Sequence, residues 1–84
     1  MWHVYIVKCT DSSLYTGITL DVERRVREHN CSTKGAVSLR YKRPVYLVYS
    51  KEYDTHLEAA RREYEIKHWK REDKLKLIEQ SSAE

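Results

Sequence analysis

Trp2-His3-Val4-Tyr5-Ile6-Val7-Lys8, Thr10-Asp11-Ser12-Ser13 and Leu14-Tyr15-Thr16-Gly17 form the stretch on which the fold of this chain turns. The first block is rich in β-branched and aromatic side chains and free of Gly and Pro, so it reads as a strand. The second is a turn cluster, because short polar side chains bond to nearby backbone and compete with regular structure. Leu14-Tyr15-Thr16 reads as a second short strand, closed by Gly17. Together they make an antiparallel hairpin whose register has consequences. If Tyr15 pairs with Val7, leaving a loop over 9–13, Tyr5 and Tyr15 lie diagonally on one face of the sheet. A loop one residue shorter would split them across it.

Beyond the hairpin the period changes. Val22, Val26 and His29 fall at i, i+4 and i+7 with charges between them, the mark of an amphipathic helix. Asp21 suits its N-cap, Glu23 its first turn and Asn30 its end. Residues 31–43 show no clear period and carry Lys34, Arg40, Lys42 and Arg43, a basic loop. Pro44 then opens Val45-Tyr46-Leu47-Val48-Tyr49, a third strand whose apolar run predicts burial on both faces. Thr55-His56-Leu57-Glu58 fits a capping box, and the helix it opens extends to about Trp69. A last helix over roughly 71–80 presents Lys74, Leu77 and Ile78 on one face. The expected architecture is α+β: a three-stranded, mostly antiparallel sheet flanked by about three helices. Residues 1–80 are expected to form one domain and 81–84 a frayed tail.

The bulk composition bounds this reading. Eighty-four residues leave no room for a second core. Cys9 and Cys31 are expected to be reduced, since the N-terminus lacks the basic and apolar regions of a secretory signal. The expected location is therefore cytoplasmic, with no membrane segment. A net charge of +3 would not repel a polyanion. Seven tyrosines and two tryptophans but no phenylalanine leave most aromatic rings with a hydroxyl to satisfy.

Several residues break the packing pattern. Arg25 shares the apolar stripe of the first helix, where an arginine must extend to water or meet an anion. His29 is one turn on and leaves the same face. Glu63 has Ala59, Ala60 and Ile66 as helical neighbours, so its carboxylate points where a core residue would go. Such a group must pair, protonate or bind a metal; a salt bridge to Arg25 or Lys67 would answer the first need.

In order and spacing these residues resemble the GIY-YIG nuclease family. His3-Val4-Tyr5 stands for the first motif with only its tyrosine kept, and Tyr15-Thr16-Gly17 for the second. Arg25, inside Glu23-Arg24-Arg25-Val26-Arg27-Glu28-His29-Asn30, matches the family's helical arginine, with a histidine one turn later. Arg62-Glu63-Tyr64-Glu65-Ile66-Lys67 is similar to the segment holding the family's metal-binding glutamate. Glu65 rivals Glu63, which is preferred because it follows Arg62 and faces the alanines. The resemblance runs from Tyr5 to about Ile78 and is nearest to small stand-alone bacterial members (YhbQ-like proteins). Lys34-Gly35-Ala36-Val37-Ser38-Leu39-Arg40 departs from these, which usually place Lys-Tyr-Thr after Gly-Ala.

The resemblance implies a DNA endonuclease that hydrolyses phosphodiesters with one Mg²⁺ (or Mn²⁺) held by Glu63. Arg25 would fork onto the scissile phosphate. Tyr5 would activate water and Tyr15 hold the phosphate or the water, or the two tyrosines would exchange these roles, and His29 would take up or relay the proton. A free phenol has a pKa of about 10, so Tyr5 is expected to be lowered by Arg25 or the metal. Lys34, Arg40, Lys42 and Arg43 are candidates to line a nucleic-acid backbone, and Tyr41 to stack a base. No sequence-reading module is visible, so little sequence preference is expected, with single-stranded or branched DNA favoured. The other reading is a non-catalytic nucleic-acid-binding module on the same fold, acting with a protein partner in a DNA repair or recombination complex.

Overall fold

The computed structural model describes residues 1–31, Leu39 and 42–82. Along the chain they form β1 (Trp2–Lys8), β2 (Leu14–Thr19), α1 (Val22–Cys31), β3 (Tyr46–Tyr53), α2 (His56–Lys67) and α3 (Arg71–Ser82). The sheet order is β2-β1-β3, and both pairings are antiparallel. This is the α+β architecture that the sequence predicts.

β1 is the central strand, so its alternating side chains supply two cores. Val4 and Ile6 pack with Tyr49, Ala59 and Ile66 on the side of α2 and α3, where Leu77 and Ile78 close the edge. Tyr5 and Val7 turn to the other side and meet Cys9, Leu39 and Val45, with Val22 and Val26 of α1 against them. Val4, Ile6 and Ile66 have no exposed surface. Each such aliphatic side chain contributes roughly 1.5–3 kcal/mol of burial.

The strand buried on both faces is thus β1 and not β3, contrary to the reading of residues 45–49. β3 lies at the edge of the sheet, and Tyr46 and Leu47 are 61% and 43% exposed. An apolar run specifies that a strand can be covered, not which strand is central, and Val4-Tyr5-Ile6-Val7 is an equal run. β3 also continues to Tyr53, because its pairing with β1 extends to Trp2 beyond a register shift at Ile6/Val7. Gly17 does not close β2. It sits within the strand opposite Tyr5, and the strand runs on to Thr19.

The helix starts follow their caps. Asp21 Oδ1 accepts from the Arg24 amide at 3.1 Å. Thr55 Oγ1 accepts from the Glu58 amide at 3.2 Å and donates to the Glu58 carboxylate at 3.1 Å. α1 reaches Cys31, α2 stops at Lys67 with His68 as its cap, and α3 continues to Ser82. The end of α1 is fixed to the start of β3 by one side chain. Asn30 Nδ2 donates to the Val45 carbonyl at 3.0 Å while its Oδ1 accepts from the Val45 amide at 2.7 Å. That pair of bonds imitates a neighbouring strand and holds α1 across the sheet.

Candidate active site

The register pairs Val7 with Tyr15 and Tyr5 with Gly17. Tyr5 and Tyr15 therefore share a sheet face, the one α1 covers, with ring centroids 6.4 Å apart. The missing side chain at Gly17 makes room for the Tyr5 phenol. A Cβ built on Gly17 would stand 2.6 Å from the Tyr5 hydroxyl oxygen and 2.8 Å from Cζ. Glycine is required here by close approach and not by a turn. The tyrosine ring lies across the strand in the space a neighbour would fill.

His29, on the inward face of α1, completes the arrangement. Its Nε2 is 2.8 Å from the Tyr5 hydroxyl, and both residues are buried. Its ring meets Tyr15 edge-on with centroids 5.3 Å apart. Burial, then the charges of Arg25 and Arg43, push the imidazole down to about 4 against a weaker opposing pull from Glu28. His29 is consequently neutral near pH 7, and in the tautomer protonated at Nδ1 its Nε2 accepts the Tyr5 hydrogen.

The Tyr5 phenol moves the opposite way from the expectation. Burial raises it to about 12, Tyr15 and Glu63 push the same way, and a hydrogen bond and the charge of Arg25 pull it down by less. Desolvation of a phenolate outweighs one partly solvated cation. The cation expected to lower the value is present beside the hydroxyl, yet burial wins.

Arg25 is held on its own helix. Its Nη1 donates to Glu28 Oε1 at 3.1 Å, and Glu28 also pairs with Arg24 Nε at 3.5 Å. Hydrogen bonds to Glu28 and to Tyr5 both favour the charged guanidinium. Arg25 thus extends from the apolar stripe to an anion of the protein and to the phenol at once. Glu28 is a residue the sequence reading missed, although its i+3 and i+4 spacing from Arg25 and Arg24 was legible. Asn30, read only as a helix stop, and Gly17, read as a strand end, were seen without their actual roles.

Glu63 stands on α2, across the sheet from α1, between the buried Ala59 and Ile66. Its side chain is 22% exposed and pairs with Lys67 Nζ at 3.5 Å. It reaches the opposite cluster through its charge, which acts on the Tyr5 phenol. Glu65 pairs instead with Arg62 at 3.5 Å, with its side chain 57% exposed. Of the two carboxylates, Glu63 is the one whose charge is felt at the Tyr5 phenol. No group of three or more His, Cys, Asp or Glu is gathered among the described residues. A hydrated Mg²⁺ needs only one or two carboxylates besides substrate oxygens, and the half-buried Glu63 is a carboxylate of that kind.

Of the basic loop, Lys34, Arg40 and Tyr41 lie outside the described residues. Lys42 is engaged by the β1–β2 turn: its carbonyl accepts from Thr10 N and Oγ1, and its Nζ lies 3.3 Å from Ser13 Oγ and 3.5 Å from Asp11 Oδ2. Arg43 Nε donates to the His29 carbonyl. Both residues brace the site's surroundings in the structure.

Comparison with known proteins bears on the family and the fold. Residues 1–76 match the model of the GIY-YIG catalytic domain. A UPF0213 protein of Staphylococcus haemolyticus is 54% identical over 78 residues, covering 93% of this chain and 94% of its own. One from Staphylococcus saprophyticus is 53% identical over 76 residues, covering 90% and 92%. The solution NMR structure of a UPF0213 protein from Bacillus halodurans superposes with a TM-score of 0.61 at 44% identity, over 94% of this chain and 84% of that one. No helix among the described residues is long and apolar enough to cross a membrane. A tyrosine laid over the glycine of a second strand, beside a helical arginine and histidine, is thus found in a chain that belongs to the GIY-YIG nuclease superfamily, alongside the small UPF0213 proteins.

Proposed function

We propose that this chain is a metal-dependent endonuclease that hydrolyses phosphodiester bonds in DNA with little sequence preference. The observation that carries this reading is the buried hydrogen bond between Tyr5 and a neutral His29, with Arg25 beside the phenol. A buried tyrosine needs one partner for its hydroxyl; here a neutral imidazole and a guanidinium both meet it, which packing alone does not require.

In-line attack on a phosphodiester needs a proton acceptor for the water and neutralisation of the phosphoryl oxygens. Arg25 supplies the second through its planar fork. A phenol raised to about 12 cannot wait as phenolate near pH 7. It can act as a relay: Tyr5 takes the water's proton on its oxygen as its own hydrogen passes to His29 Nε2. The phenol stays neutral throughout, and the proton ends on the imidazole. An imidazole held at about 4 is a weak base. A phosphate on Arg25 cancels one of the two charges that depress it and moves it upward. Tyr15, ringed by Tyr5 and His29, holds the phosphate or the incoming water by its hydroxyl. Glu63 would hold a Mg²⁺ or Mn²⁺, which supplies positive charge for the leaving oxygen.

The second reading, a DNA-binding module that does not cut, draws on the Glu63–Lys67 pair, which already satisfies the carboxylate. One experiment separates the two. Labelled single-stranded, duplex and branched DNA are incubated with Mg²⁺ or Mn²⁺ and either the intact chain or Glu63→Ala. Cleavage by the intact chain that is lost in the variant supports the nuclease. Retention of the DNA without cleavage in either metal favours the module, and equal cleavage by Glu63→Ala removes Glu63 from the mechanism.

A further inference from the structure

A cleft adjoins the tyrosine site, and apart from the shared Arg25 the mechanism above makes no use of it. It lies between the start of β1 and the β2–α1 connection, encloses about 330 Å³, and is lined by Trp2, Ile18, Leu20, Arg24, Arg25 and Glu28 among others. Arg25 belongs to both places, so a strand whose phosphate rests on Arg25 has its neighbouring nucleotide at the mouth of this cleft. The lining is of two kinds. One wall is apolar: Leu20 is 60% exposed, and Trp2 is fixed edge-on against His56 with centroids 4.6 Å apart. The other wall carries Arg24, whose side chain is 65% exposed.

We propose that this cleft is a nucleoside subsite, taking one unpaired nucleotide next to the phosphate on Arg25, with its base against Leu20, Ile18 and Trp2 and its outer phosphate on Arg24. The inference rests on the nuclease reading of the Arg25 site and adds the place where its substrate is gripped. Three observations select that occupant. The volume is at the low end of small-ligand pockets, roughly 300–1,000 Å³, which suits one nucleotide. A simple anion would use the arginines but leave the leucine and tryptophan uncovered. The cations are positioned from within the protein: Glu28 holds both arginines side by side at the rim, and Asp21 Oδ1 caps the Arg24 amide. A base filling the cleft covers apolar surface while its phosphates meet the cations, the pairing that binds single strands with little regard to sequence.

The test uses the full ¹⁵N-labelled chain in EDTA, so that binding is read without cleavage. It is titrated with a single-stranded oligothymidylate, with the corresponding oligothymidylate–oligoadenylate duplex, and with inorganic phosphate. The single strand should shift the Trp2 indole N–H and the amides of Ile18 to Leu20. The duplex should leave these signals in place, and phosphate should move only the arginine signals. Leu20→Ser should weaken single-strand binding roughly tenfold, and Arg24→Gln should weaken it too. A Trp2 indole that does not respond, phosphate reproducing the whole pattern, or the duplex matching the single strand would each overturn the subsite. Cleavage in Mn²⁺ separates the two levels. A chain that cuts while the cleft stays silent loses the subsite and keeps the nuclease reading. A cleft that responds in a chain that never cuts keeps the subsite's binding role and loses the nuclease reading.

Discussion

The two faces of β1 are built from the same strand and differ in kind. On the α2 and α3 side, Val4 and Ile6 meet Ala59, Ile66 and Tyr49, an apolar contact in which shape is the main requirement. On the α1 side, Tyr5 is buried as completely as Ile6, yet it brings a hydroxyl and is faced by a buried histidine and a charged arginine. A buried polar pair must be satisfied in full or it costs more than an apolar substitute. The one face can tolerate repacking. The other is over-determined, since Tyr5 is located by Gly17 beneath it, His29 beyond it and Arg25 beside it.

Crossed substitutions should break this comparison most sharply. Arg25→Ala is expected to lower the cleavage rate by about 10²–10³, the usual loss for a group that stabilises developing charge, with little change in thermal midpoint. Ile66→Ala should do the reverse. It is expected to cost about 2–5 kcal/mol in urea unfolding and leave the rate per folded molecule unchanged. If Ile66→Ala slowed cleavage as much as Arg25→Ala, the two faces would not be separable in function.

His29 sharpens the contrast through pH. Its folded value of about 4 lies below its ordinary 6.5, so the folded state binds fewer protons than the unfolded one between those values. Its contribution is fully present above pH 6.5 and is lost as pH falls toward 4, with a ceiling on the order of 3 kcal/mol. Urea midpoints measured from pH 7 to 4.5 should therefore fall more steeply for the intact chain than for His29→Gln. Parallel curves would show that the buried imidazole does not titrate as its surroundings dictate.

Gly17→Ala tests the fit of the phenol. A methyl group at that position must push the Tyr5 ring, which His29 restrains from moving away. We expect a loss of about 1–3 kcal/mol from overpacking, together with an altered His29 ring signal by NMR. A variant as stable as the parent, with that signal unmoved, would mean that the strand opens to make room. The smallest effect belongs to Lys67→Ala. Its pair with Glu63, half-exposed on the lysine side, is expected to matter by less than about 1 kcal/mol for stability. Mn²⁺ titration followed by electron paramagnetic resonance should nonetheless show tighter binding once the competing ammonium is gone. Unchanged Mn²⁺ affinity would argue against Glu63 as the metal ligand.

The legible parts of this molecule are those in which local chemistry and tertiary structure agree. The hairpin register could be posed as a choice between two loop lengths because strand periodicity links loop length to face, and Val7 does pair with Tyr15. The caps at Asp21 and Thr55 were readable because each acts within one helical turn. Strand order was not readable, since Val4–Val7 and Val45–Tyr49 are equally apolar and only long-range pairing decides which is central. Gly17 was misread for a related reason. A glycine in sequence signals freedom of the backbone, whereas here its lack of a side chain matters to a residue on another strand. The direction of the Tyr5 shift was equally out of reach. The cation that would lower it was identified, but the depth of burial that overrides it is a property of the assembled core.

The two bonds from Asn30 to Val45 give the chain a form of modularity. They join positions fifteen apart and fix both to the framework that carries His29. Because the closure entropy of a loop grows only as the logarithm of its length, residues inserted between these anchors should cost little and should not displace the imidazole. Insertions that spare Leu39, buried in the cluster of Tyr5, and Arg43, which donates to the His29 carbonyl, should thus leave the tyrosine–histidine pair in place.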